Sequence, residues 1–87
     1  MAALLLGYHL ENRLKAFTAG VLGRTYPILS DGLKKMEQDR RLPHSRHGLF
    51  SDLLGLRNKA IHQPTNVSEA VFKMAVKKLS LLEETAP

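Results

Sequence analysis

Apolar residues in this chain recur three or four positions apart, and that period decides what it can fold into. Leu6, Leu10, Leu14, Phe17 and Val21 form one such series, with Glu11, Arg13 and Lys15 between them. A 3.6-residue period puts the apolar set on one stripe of a helix and the charges on the other side. Gly20 and Gly23 mark the end of this first helix, because glycine tolerates the left-handed geometry that closes helices. No alternation of period two persists for more than a few residues, so no strand is expected.

The series repeats along the chain. Thr25 reads as an N-cap with Pro27 in the first turn, followed by the stripe Ile28, Leu29, Leu33 and Met36. Asp31 near that helix's start and Lys34 and Lys35 later on suit the helix dipole. Gly32 within it costs about 1 kcal/mol relative to alanine, and close packing would account for it. The run from Arg40 to His44 contains Pro43 and reads as a loop, with Ser45 as the cap of a third helix. Leu49, Phe50, Leu53, Leu54, Leu56 and Ile61 form that helix's apolar face, and Pro64 stops it. The run Asn66-Val67-Ser68-Glu69 resembles a capping box with asparagine in the cap position. A fourth helix follows with Val67, Val71, Met74, Ala75, Leu79 and Leu82 on its stripe and Lys73, Lys77 and Lys78 opposite. Four amphipathic helices on short connections predict an all-α, up-and-down four-helix bundle. Residues 1–87 are expected to form one domain, since the chain is too short for two cores.

Composition narrows the chemistry. The chain has no cysteine, which excludes disulfide scaffolds, thiol catalysis and cysteine-based zinc sites. Its first residues lack a leading positive charge, and no uncharged run approaches the ~18 residues of a membrane span. The expectation is a cytoplasmic protein with no membrane partner. With 13 basic and 8 acidic residues the net charge is +5, which points toward a polyanion. Arg40, Arg41, Arg46, Arg57 and Lys59 face only Asp39 and Asp52 between residues 39 and 59, leaving that stretch net +3. Aromatic residues fall mostly on the apolar stripes, so base stacking on single strands is not expected to carry sequence readout. An 87-residue core is small, and self-association would enlarge it.

One segment departs from a generic bundle: Gly55-Leu56-Arg57-Asn58-Lys59-Ala60-Ile61-His62-Gln63-Pro64. Asn58 and His62 lie four apart on one helix face, and Arg57 sits about 100° round from Asn58. His62 occupies the last turn, where the negative end of the helix dipole favours an imidazolium. Arg57 offers a planar fork of donors that suits phosphate. A histidine that exchanges protons near neutral pH beside a guanidinium is minimal equipment for metal-free phosphodiester cleavage. Taken one by one, these residues have plainer roles. Arg57 would pair with Asp52, His62 would cap the last carbonyls, and Asn58 would face solvent. His44 and His47 read as a solvated helix entry, with a phosphate contact or a metal pair as alternatives and no acidic or cysteine partner nearby to complete a metal site, and His9 as a partly buried, hydrogen-bonded histidine.

The order of these features resembles the HEPN superfamily. The resemblance rests on Arg57-Asn58-x-x-x-His62 near the end of the penultimate helix, preceded by Leu53-x-x-Leu56 and a Leu42-Pro43 loop. It covers roughly residues 4–82, and its sharp part is three residues. The resemblance implies an HEPN-like bundle that dimerises so that two such motifs meet. It implies a metal-independent endoribonuclease needing neither cofactor nor metal. His62 would serve as general base or acid, Arg57 would hold the scissile phosphate, and Asn58 would orient either one. Arg40, Arg41, Arg46 and Lys59 would guide the RNA substrate. A toxin or phage-defence role beside an antitoxin or a nucleotidyltransferase partner is the family's common setting. Two other readings compete: a non-catalytic HEPN-like module for dimerisation or for binding a nucleotide or partner, and a helix-turn-helix DNA binder. Against the last stand Pro27 and Gly32 inside the recognition helix and Arg24 where an apolar residue is needed.

Overall fold

A computed structural model describes residues 2–84. Four helices form, α1 (Ala2–Leu22), α2 (Leu29–Gln38), α3 (His44–His62) and α4 (Glu69–Glu84), with a 3₁₀ turn at Pro64–Asn66. The expected all-α four-helix bundle is what the chain adopts. No described helix is long and apolar enough to cross a membrane.

The directions of the other three helices are fixed by their contacts with α3. Gly7 packs on Ala60 and Ile61, Glu11 meets Arg57, and Phe17 meets Phe50 with ring centroids 6.1 Å apart, so α1 and α3 run in opposite senses. Asp52 to Lys78 fixes α4 against α3 in the same antiparallel way, and Glu37 to His47 does so for α2. The link 23–28 doubles back, so that α2 begins beside Glu11, places Gly32 against Thr18, and delivers Arg41 to Val21. α2 therefore runs parallel to α1, and the up-and-down path expected for all four helices holds only from α2 through α3 to α4. α2 and α4 therefore flank an α1–α3 pair on opposite sides, giving a flattened body of 37 × 23 × 15 Å.

The core follows the sequence stripes with specific departures. Leu6, Leu10, Leu14 and Phe17 of α1, Leu29 and Met36 of α2, Phe50 and Leu53 of α3, and Ala75, Leu79 and Leu82 of α4 are buried. Each large side chain taken fully out of water contributes about 1.5–3 kcal/mol. Ile28 and Met74, expected on stripes, are exposed at 57% and 42%. Ile28 flanks the start of α2 instead of lying within it, and Met74 sits one position from Ala75, about 100° off the buried line. Val67 lies in the link before α4 and packs against the core from there. His9 is exposed rather than partly buried, and Tyr8 (54%) and Phe72 (38%) also reach solvent, so of the five aromatic rings Phe17 and Phe50 belong to the core.

Helix ends show which local signals were decisive. Gly23, at φ +74°, donates its N–H to the Ala19 carbonyl at 2.8 Å and closes α1 as expected. α2 closes with the same left-handed turn, but the residue there is Arg40, at φ +54°. The Arg41 and Arg40 N–H groups return to the Met36 and Glu37 carbonyls at 2.9 and 3.2 Å, completing a Schellman motif. Thr25 does not cap α2, which starts at Leu29 behind Ile28 with no side-chain cap. Ser45 likewise lies inside α3, whose cap position is Pro43. At α4 the cap is Ser68, whose hydroxyl accepts the Val71 N–H at 3.2 Å, while Asn66 donates to Gln63 Oε1 at 3.1 Å.

Candidate functional site

Arg57 stands where α3 crosses Glu11 of α1. Its Nη2 donates to Glu11 Oε1 and its Nη1 to Asn58 Oδ1 at 2.8 Å. About a quarter of each side chain of the Arg57–Glu11 pair is exposed, so the pair is only partly screened by water. Arg57 Nε is buried and has no hydrogen-bond partner among the described residues. Lys15 adds a weaker contact to the same carboxylate at 3.7 Å. The Arg57 hydrogen bond, opposed by burial and reinforced by the charges of Arg57 and Lys15, holds Glu11 below the usual carboxylate range. Asp52, the partner expected for Arg57, instead accepts from Lys78 at 2.8 Å.

A hollow of about 260 Å³ opens beside this pair, lined by Glu11, Leu54, Arg57 and Asn58 and closed on one side by residues 27–30. Asn58 and His62 are both exposed. One turn of α3 separates them, a rise of about 6 Å on the same face. α2 starts against Leu54–Asn58, so its body covers the earlier turns of this α3 face and leaves the turn carrying His62 outside the hollow. The site-building elements are therefore the C-terminal half of α3, the middle of α1 and the entry to α2.

The four cations assigned to RNA do not gather here. Lys59 shares the last turns of α3 with the motif. Arg40 and Arg41 lie past the end of α2, where Arg41 donates to the Val21 carbonyl at 3.0 Å. Arg46 sits in the first turn of α3, sixteen positions or about 24 Å along the axis from His62. The positive stretch read from the sequence is thus divided between the two ends of the bundle.

His44 and His47 stack with ring centroids 6.3 Å apart, and His47 Nε2 lies 2.9 Å from Glu37 Oε2. An acidic neighbour is therefore present where the sequence suggested none. Among the described residues no group of three potential ligands could hold a metal.

Glu11 was absent from the sequence-derived site. Its signal was faint: Gly7, Glu11 and Thr18 are spaced by four and seven, a small and polar seam beside the leucine stripe. All three face a neighbouring helix.

No family model, curated protein or solved structure matches the chain.

Proposed function

We propose that the chain is a metal-independent endoribonuclease of the HEPN type, acting as a homodimer on RNA. One observation carries this: Asn58 and His62 are exposed on one face of the closing turns of α3, with the Arg57 guanidinium tied to Asn58 at 2.8 Å. The amide and the guanidinium are bonded to each other, and the imidazole lies one helical turn further along the exposed face that carries the amide. In the reaction His62 takes the proton of the RNA 2′-hydroxyl. The 2′-oxygen bonds to phosphorus, the bond to the 5′-oxygen breaks, and that oxygen takes a proton from the second subunit's imidazole. The products are a 2′,3′-cyclic phosphate and a 5′-hydroxyl. Arg57 stabilises charge on the phosphate oxygens as they develop it. Such an activity in the cytoplasm calls for restraint, which fits a toxin or defence effector held by an antitoxin or nucleotidyltransferase partner.

A second reading draws on Glu11. That carboxylate already neutralises Arg57, as a guanidinium used for assembly rather than chemistry would require. In this reading the motif serves a non-catalytic dimerisation or partner-binding module.

One assay separates them. Purified protein in EDTA is incubated with RNA and with the same sequence lacking 2′-hydroxyls. The nuclease cleaves the RNA alone, leaves cyclic phosphate ends, and loses at least ~100-fold in rate in His62→Ala and in Arg57→Ala. No cleavage by a folded dimer, or cleavage unchanged in His62→Ala, rejects the nuclease.

A further inference from the structure

At the end of the bundle away from His62 lies a cavity of about 450 Å³ between the last turns of α1 and the start of α3. Ala16, Phe17, Val21 and Leu42 give it an apolar lining, joined by Gly20 and by Arg41 and Arg46. Phe17 and Leu42 belong to the buried core, and Val21 packs against it. The volume lies within the range of small-molecule sites.

The two guanidiniums have no carboxylate partner among the described residues. Arg13 is matched by Glu83 and Arg57 by Glu11, while Arg24 lies over the Tyr26 ring at 4.7 Å. Arg41 spends one donor on the Val21 carbonyl, and the half-buried Arg46 makes no side-chain hydrogen bond. Arg41 is exposed and Arg46 half-buried, and an anion placed between the two guanidiniums would accept charge-assisted hydrogen bonds from both. Gly20 lines the cavity and its position has room for a side chain, since a Cβ built there meets nothing within 4 Å. Alanine in its place would favour the helix by about 1 kcal/mol, so helix stability does not explain the glycine.

We propose that this cavity binds a small anion with an apolar body. Arg41 and Arg46 hold its carboxylate or phosphate as paired forks, and its hydrocarbon chain or ring rests on Phe17, Val21 and Leu42. The site is distinct from the Arg57–His62 region and does not depend on what that region does.

Calorimetric titration of the full chain with octanoate and with phenyl phosphate tests this and tells a carboxylate source from a phosphate one. Saturable one-to-one binding of at least one probe is expected. Gly20→Leu, which fills the cavity while favouring the helix, and Arg46→Gln each weaken it about tenfold or more. Gly20→Ala retains it, and circular dichroism verifies that each variant keeps its helices. Absence of saturable binding at millimolar probe, or undiminished binding by folded Gly20→Leu, overturns the proposal.

Discussion

Arg57 and Glu11 are bound to each other across the α1–α3 seam, and the same guanidinium reaches Asn58 Oδ1. A carboxylate from the first helix therefore sets the orientation of the arginine that defines the motif in the third. Any function of Arg57 starts from this pairing.

The pairing makes stability depend on pH. Arg57 depresses the Glu11 carboxyl, so the unfolded chain binds its proton at higher pH than the folded one. The contribution is present above the unfolded value and is lost as pH falls through the folded one. Glu11→Gln should cost about 1–2 kcal/mol near neutrality, with the gap to wild type closing as pH falls below the ordinary carboxylate range. Urea melts at a series of pH values measure it, and a gap independent of pH would contradict the assignment.

Two glycines of the helical interior should respond in opposite ways to the same substitution. A Cβ on Gly7 would lie 2.6 Å from Ile61 Cγ1, whereas one on Gly55 meets nothing within 4 Å. Gly55→Ala should stabilise by about 0.5–1 kcal/mol and raise Tm by several degrees. Gly7→Ala should destabilise by about 1–3 kcal/mol because it forces α1 and α3 apart. Thermal melts of the two variants provide the comparison.

The α1–α2 contact at Gly32 allows a paired test. A Cβ there would sit 2.7 Å from Thr18 Cγ2, the methyl of a fully buried threonine whose hydroxyl donates to the Leu14 carbonyl at 2.8 Å. Gly32→Ala should lower stability by about 1–2 kcal/mol, and Thr18→Ser, which removes that methyl and keeps the hydroxyl, should restore much of it. Additive losses in the double variant would rule out the contact as the cause.

Arg40 pays a backbone cost that glycine would not. It holds the left-handed position at the end of α2, at φ +54°. Arg40→Gly should stabilise by about 1 kcal/mol, while Gly23→Ala, at the matching position of α1, should cost a similar amount. Chemical denaturation of both variants checks the pair.

Ser68, not Asn66, caps α4. Ser68→Ala should cost about 1 kcal/mol and Asn66→Ala much less. Equal losses would return the capping role to Asn66.

The legible part of this protein was whatever local spacing controls. Leu6, Leu10, Leu14 and Phe17 are buried because their period matches the helix, and the stop at Pro64 is a property of the residue itself. Capping was less legible, since Thr25, Ser45, Asn66 and Ser68 all have suitable side chains and the chain path selects among them. Asn58 and His62 share a face as their spacing requires. Glu11 is forty-six positions from Arg57, and only the crossing of two helices brings them together. The separation of Arg46 from His62 was implicit in helix rise, but charge counted along the chain concealed it.

α2 and α4 touch α1 and α3 but not each other. Either flank can therefore open without disturbing the other, while α1 and α3 separate only when the whole structure does. Amide hydrogens of α2 and α4 should exchange through two independent local openings, with Leu10, Leu14, Phe50 and Leu53 the last to exchange. A partner that captured one flank in its open form would leave the central pair intact.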